Sequence, residues 1–186
     1  MTRLFIGLPI DTEMRSALRP AYEFLSGHDH VLKAVSPENY HITVKFLGEC
    51  DGNVANAIES TFLEIPTPGG DIPFTLSGLG AFPDMKKPTV IWAGLLAEDV
   101  LMAQLYKNVE RFVSNFSFKE DKRRFTPHLT LARLRSGRKI TGDLLKFIEK
   151  NGDTLYGASV FTRLTLYSSR PTPDGASYTE LKSVSF

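Results

Sequence analysis

Residues 41–44 read His-Ile-Thr-Val and residues 128–131 read His-Leu-Thr-Leu, the same order of side chains at two places almost half the chain apart. Both copies sit among β-branched and aromatic residues of the kind that favour strands. Successive side chains of a strand point to opposite faces. Each copy therefore aims its His and Thr at one face and two aliphatic side chains at the other. The aliphatic face needs a covering layer, which predicts sheets with helices behind them. The repetition predicts two similar lobes, each offering one His/Thr pair to a shared cleft. Taken singly, either copy reads as an ordinary strand histidine followed by a threonine that favours strands.

The apolar pattern around the copies sets out the elements. Residues 4–8 form a short apolar run closed by Pro9 and read as a buried strand. Asp11 or Thr12 can cap a helix carrying Met14, Leu18, Tyr22 and Leu25, which Pro20 should kink or divide. Strands are expected over 31–35 and 40–47, a helix over 51–65, and strands over 72–79 and 89–95. A long amphipathic helix over 99–116, a segment over 125–134 that is strand-like after Pro127, and a helix over 141–150 follow. Strands over 159–168 and 178–186 close the chain, joined by a turn at 170–175 rich in Pro and Gly. Hairpins alternating with helices give an α+β class with antiparallel sheets covered on one face. No long linker or low-complexity stretch divides the 186 residues, so residues 1–186 read as a single domain of two lobes.

Several classes are excluded on composition. One cysteine, Cys50, allows neither an internal disulfide nor a four-cysteine zinc site, and a lone thiol suits a reducing cytoplasm. The formal net charge of +1 rules out a strongly basic nucleic-acid coat, though not a local basic patch. The apolar run at the start is too short for a secretion signal, and no stretch approaches the length of a membrane span. There is no glycine-rich phosphate loop and no nucleophile elbow.

Two imidazoles and two hydroxyls make a coherent chemical set. One imidazole can take a proton and the other give one near neutral pH. Threonine hydroxyls can donate to phosphoryl oxygens. In-line displacement at phosphorus needs a base, an acid and donors for the equatorial charge, and this set supplies them without a metal. A metal reading is poorer, because neither copy carries Asp, Glu or Cys at ligand spacing.

The sequence resembles the 2H phosphoesterase superfamily. Residues 40–49 (Tyr-His-Ile-Thr-Val-Lys-Phe-Leu-Gly-Glu) and 125–133 (Phe-Thr-Pro-His-Leu-Thr-Leu-Ala-Arg) are similar to its paired signatures. Residues 3–8, 80–83, 90–95, 164–169 and 178–181 are similar to its RNA 2′,3′-cyclic phosphodiesterases, the LigT or ThpR branch also called 2′-5′ RNA ligases. The resemblance implies a bilobal, pseudo-twofold fold with helices on the outer face of each sheet. It implies metal-independent hydrolysis of a ribose 2′,3′-cyclic phosphate to a 2′-phosphomonoester, with 2′-5′ ligation as the reverse chemistry. By carry-over His41 and His128 are the acid–base pair, His41 the proton donor and His128 the acceptor. Thr43 and Thr130 then hold the phosphate. RNA ends or small cyclic nucleotides are the expected partners of a cytoplasmic monomer that needs no cofactor. The competing readings are a non-catalytic module gripping RNA ends, and a phosphodiesterase acting on 2′-5′-linked oligonucleotides or a cyclic-phosphate metabolite.

Flanking residues give further candidates. Arg133 falls on the opposite face from His128 by strict alternation, so the sequence alone calls it solvated. The resemblance makes it a phosphate or nucleotide contact, which needs a bulge or strand end nearby. Arg124 is a similar candidate. Lys45 shares the parity of His41 and Thr43, so alternation sends it into the cleft, and it sends Phe46 into the core. Phe82 is a candidate for stacking a base, whereas Trp92, inside a strand, reads as core. Lys86-Lys87 and Lys122-Arg123-Arg124 can hold an RNA backbone or simply be solvated. Thr126 stands where the resembled family often has a basic residue. His28 and His30 receive no role.

Overall fold

The structure, a computed structural model, describes residues 1–120, 124–172 and 175–186. Its strands are β1 (Thr2–Pro9), β2 (Leu32–Ala34), β3 (His41–Cys50), β4 (Ile72–Phe82), β5 (Val90–Ala97), β6 (His128–Leu134), β7 (Leu155–Phe161), β8 (Arg163–Thr172) and β9 (Gly175–Ser185). Its helices are α1 (Thr12–Ala17), α2 (Arg19–Ser26), α3 (Gly52–Thr61), α4 (Asp99–Ser114) and α5 (Gly142–Lys150).

Local signals explain where these helices start. The Asp11 carboxylate accepts from the Met14 N–H at 2.8 Å and caps α1. Asp51 accepts from the Asn53 and Val54 N–H groups at 2.9 and 3.0 Å and caps α3. The chain breaks at Leu18, and Pro20 lies in the first turn of α2, where a missing N–H costs nothing. The expected division of that helix is therefore present.

All pairings are antiparallel, in the order β7-β4-β5-β6-β3-β1-β8-β9, with β2 added on β6. The order falls into two four-stranded halves, β7-β4-β5-β6 and β3-β1-β8-β9, joined where β3 meets β6. The ladder at that seam is the pair Ile42–Leu129, the middle of both repeats. Ile42, Val44, Leu129 and Leu131 are all buried, in a core continuous across both halves. The expected α+β, two-lobed antiparallel architecture is thus the observed one.

One expectation changes. The strand expected over 159–168 is two strands, β7 and β8, divided at Thr162. Strand β7 is an edge strand on which Phe161 is buried while Leu155 and Val160 are exposed, so its alternation is weak. The strand expected after Pro127 begins at His128. The turn at 170–175 includes Pro173 and Asp174, which lie outside the described residues; Thr172 and Gly175 on either side pair across β8 and β9.

Candidate active site

The Ile42–Leu129 pair acts as a local two-fold axis. Antiparallel register relates His41 to His128 and Thr43 to Thr130 about it. The two histidines are held alike. His41 Nδ1 donates to the Asn39 carbonyl at 2.7 Å, and His128 Nδ1 donates to the Thr126 carbonyl at 2.8 Å. A carbonyl only accepts, so each neutral ring carries its proton on Nδ1 and keeps the lone pair on Nε2. The Nε2 of His41 lies 3.1 Å from the Thr43 hydroxyl, which donates to it.

His41, Thr43 and Thr130 line a cleft of about 630 Å³ together with Arg3, Phe5, Lys33, Phe46, Arg133 and Tyr178. Ser169, Pro171, Thr172, Gly175 and Ala176 of the β8–β9 hairpin form its outer wall. His128 stands beside it, its ring edge-on to Phe82 at 4.9 Å. His41 is packed among Phe5, Tyr178 and Tyr167, at ring distances of 4.7, 5.1 and 5.9 Å.

Two bulges decide what else reaches the cleft. Gly7 pairs with Thr43 but Ile6 pairs with Lys45, so Val44 is an extra residue in β3. Trp92 pairs with Thr130 but Ile91 pairs with Ala132, so Leu131 is an extra residue in β6. After each bulge the parity flips. Val44 and Lys45 are both buried, as are Leu131 and Ala132, and the next residue, Phe46 or Arg133, returns to the cleft. The bulge required for Arg133 to face the site is therefore present.

The same device overturns two expectations. Lys45 does not face the cleft: it is 4% exposed, its Nζ 2.7 Å from Glu110 of α4 and 3.1 Å from the Lys119 carbonyl. Phe46 is not core but 50% exposed on the cleft wall. Trp92 also departs from its expected place. It lies half-buried on the cleft side of β5, over Gly80, where an added Cβ would sit 2.3 Å from the indole. Phe82 packs between Trp92 and His128, at 5.1 and 4.9 Å. Arg124 is exposed in the lead to β6 and is not part of the cleft wall. Lys122 and Arg123 lie outside the described residues. Lys86 and Lys87 are exposed on the β4–β5 loop, their backbone N–H groups tied to Asp84. His28 bridges helices instead, with Nδ1 on the Phe24 carbonyl at 2.9 Å and Nε2 on Asp143 at 2.7 Å.

The electrostatics follow from this packing. Burial among aromatic rings pushes His41 down from 6.5 to about 4, against the pull of the Asn39 carbonyl. Arg133 and His128 lower it further. Burial also lowers His128, with the Thr126 carbonyl opposing and Arg133 reinforcing. Both shifts favour the neutral ring at pH 7.

Comparison with known proteins joins this geometry to a family. A family described as LigT like Phosphoesterase matches residues 8–92 and 96–178. The chain belongs to the LigT-like phosphoesterases. A relative from Archaeoglobus fulgidus named RNA 2′,3′-cyclic phosphodiesterase is 33% identical over 97% of this chain and 98% of its own. One of the same name from Methanocaldococcus jannaschii is 31% identical over the same shares. Among solved structures, a Thermus thermophilus protein superposes with TM-score 0.79 at 24% identity, over 98% of this chain and 97% of that one. Escherichia coli LigT complexed with 3′-AMP superposes with TM-score 0.73 at 23% identity, over 100% and 98%.

In this LigT-like phosphoesterase the paired signatures meet at one seam, as the resemblance implied. Arg3, Phe46 and Tyr178 are cleft residues that sequence reasoning missed. Strict alternation concealed Phe46, because the bulge that turns it outward is a matter of register with β1. Arg3 and Tyr178 arrive from strands remote in sequence, and no local pattern points to them.

Proposed function

We propose that the chain hydrolyses a ribose 2′,3′-cyclic phosphate, at an RNA end or on a small nucleotide, to a 2′-phosphomonoester. Residues 1–186 are read as one catalytic unit, with its site where the halves meet. The observation that carries this is the twofold-related pair of imidazoles, each fixed through Nδ1 with Nε2 left for chemistry. The shared name of the relatives supports the choice of substrate.

The cleft extends along the His41 side, so the nucleoside sits there. The 3′ oxygen stays on the ribose, which makes His41 the acid that protonates it and His128 the base that takes the proton from water. The water oxygen bonds to phosphorus as the P–O3′ bond breaks; one proton enters at His128 and one leaves from His41. Thr43 turns its hydroxyl from His41 to one phosphoryl oxygen, Thr130 donates to another, and Arg133 faces the growing negative charge. Burial favours the neutral form of His41. An anionic phosphodiester offsets the field of Arg133 and favours the imidazolium, so substrate binding arms the acid. A 5′-hydroxyl in place of water gives a 2′-5′ linkage by the same bond changes. Among the described residues that line the cleft there is no carboxylate, and the imidazoles are read as proton carriers rather than metal ligands. The buried free thiol of Cys50 suits a reducing, cytoplasmic setting.

The test is to incubate the protein with 2′,3′-cyclic AMP in EDTA and identify the product by phosphorus NMR. The expected product is 2′-AMP. His41→Ala and His128→Ala should each lower the rate by roughly 10²–10⁴-fold, with the double variant little worse than either. A 3′-AMP product, or activity lost in EDTA and regained only with a divalent ion, overturns the mechanism.

A further inference from the structure

The two imidazoles are anchored alike but packed differently. His41 gives Nδ1 to the Asn39 carbonyl, receives the Thr43 hydroxyl at Nε2, and lies among the rings of Phe5, Tyr178 and Tyr167. His128 gives Nδ1 to the Thr126 carbonyl. Among the described residues the ring it meets is Phe82, 4.9 Å away and turned by 82°. One hydrogen bond fixes an atom of an imidazole but not its plane, and the torsion that turns a histidine ring is broad. Packing has to supply the plane.

We propose that Phe82, backed by Trp92, is a positioning residue that sets the plane of the His128 imidazole and with it the direction of the Nε2 lone pair. This rests on the reading of His128 as the base of a cyclic phosphodiesterase. The buttress is built from the backbone upward. Trp92 sits in β5 between Gly80 of β4 and Thr130 of β6, in register with both. A Cβ added at residue 80 would run into the indole, so glycine is what lets the indole lie across β4. Phe82 is two residues further along β4 and so on the same face, and its ring packs 5.1 Å from the indole. Its backbone is held as well. The Phe82 carbonyl accepts from the Thr89 N–H at 2.6 Å and from the Thr89 hydroxyl at 3.1 Å. The Thr89 carbonyl accepts from the Leu134 N–H at 2.9 Å, which joins the base of this hairpin to the end of the strand that carries His128.

The other half is built differently. The twofold counterpart of Trp92 is Gly7, which faces Thr43 as Trp92 faces Thr130. A Cβ added at Gly7 would stand 2.9 Å from the Ile42 carbonyl oxygen, so no side chain fits there. His41 takes its rings from β1, β8 and β9 instead. Phe82 is not among the residues that line the cleft, and its ring is flanked by Trp92 and His128 rather than offered to a base.

The experiment compares wild type, Phe82→Leu and Phe82→Tyr on 2′,3′-cyclic AMP, with NMR titration of the histidine ring protons alongside. Leucine keeps an apolar side chain without a flat ring, and tyrosine keeps the ring. Burial holds His128 below the ordinary histidine value, with the Thr126 carbonyl opposing and Arg133 reinforcing. Phe82→Leu opens one side of the imidazole to water. The His128 titration should then move to higher pH while that of His41 stays. In the same variant kcat should fall roughly 10- to 100-fold at nearly unchanged KM. Phe82→Tyr should restore both. Trp92→Phe keeps Phe82 on a smaller support and should move His128 the same way by less; it carries the test if Phe82→Leu does not fold. An unmoved His128 titration overturns the proposal. So does a shift of both imidazoles together, the mark of a general loosening of the seam. A loss confined to KM overturns it too, because Phe82 would then be a substrate contact. If the wild type opens no cyclic phosphate, the activity reading fails, and the titrations alone decide whether Phe82 holds His128.

Discussion

His41 is held between Phe5 and Tyr178, and the cost of charging it there outweighs the carbonyl that would welcome the charge. Arg133 acts on both imidazoles in the same direction, lowering each. Both imidazoles therefore titrate below the ordinary histidine range. The bell-shaped pH profile of kcat/KM, which reports the free protein, should have its limbs on the acid side of that of kcat, which reports the complex. Arg133→Met removes a positive charge and should move the imidazole titrations to higher pH, read by NMR on the ring protons, while weakening substrate binding. Unmoved titrations would show that Arg133 does not act on the pair. His28 follows the reverse logic: the Phe24 carbonyl and Asp143 raise its pKa, and it joins α2 to α5 away from the cleft.

Lys45 shows how an element can redirect a residue. A regular strand would have sent it into the cleft; the bulge at Val44 sends it inward, to a carboxylate on α4 and to the carbonyl of Lys119. Strand β3 belongs to one half of the sheet, and α4 connects two strands of the other. The Lys45–Glu110 pair therefore ties the halves together behind the seam that carries both histidines. Its Lys and Glu side chains are 3% and 10% exposed, so removing one partner strands the other charge in a dry site. Lys45→Met should cost about 3–5 kcal/mol in urea unfolding, and Lys45→Met with Glu110→Leu should recover much of it. A double variant as unstable as the sum of the singles would mean the pair does not act as a unit.

For the whole molecule these shifts predict how stability depends on pH. The folded-state pKa of His41 is about 4 against an ordinary 6.5. The unfolded chain therefore takes up protons first as pH falls, and the stability carried by the neutral ring is lost between pH 6.5 and 4. His128 shifts the same way. His28 contributes below 6.5, and its contribution fades as pH rises through its raised pKa. Urea unfolding should show His41→Gln losing less stability than the wild type between pH 7 and pH 4.5, by on the order of 2–3 kcal/mol. Equal acid sensitivity of the two would place the ring in a more hydrated site than its packing indicates.

Much of this architecture is written in local pattern. The His-x-Thr-x repeat, Asp11 as a cap, Pro20 as a breaker and the apolar periodicities specify two related halves and bring two His/Thr pairs to one face. Those features depend on neighbours a few residues away, where side-chain alternation and backbone sterics act directly. The register between strands belongs to tertiary structure alone. Which residue of β3 faces Ile6 or Gly7 depends on how β1 packs, and that choice creates the bulge. The bulges in β3 and β6 in turn decide that Phe46 and Arg133 face the cleft and Lys45 faces Glu110. Because side chains alternate with a period of two, one inserted residue reverses every assignment beyond it, and only packing against the partner strand determines where that residue is inserted.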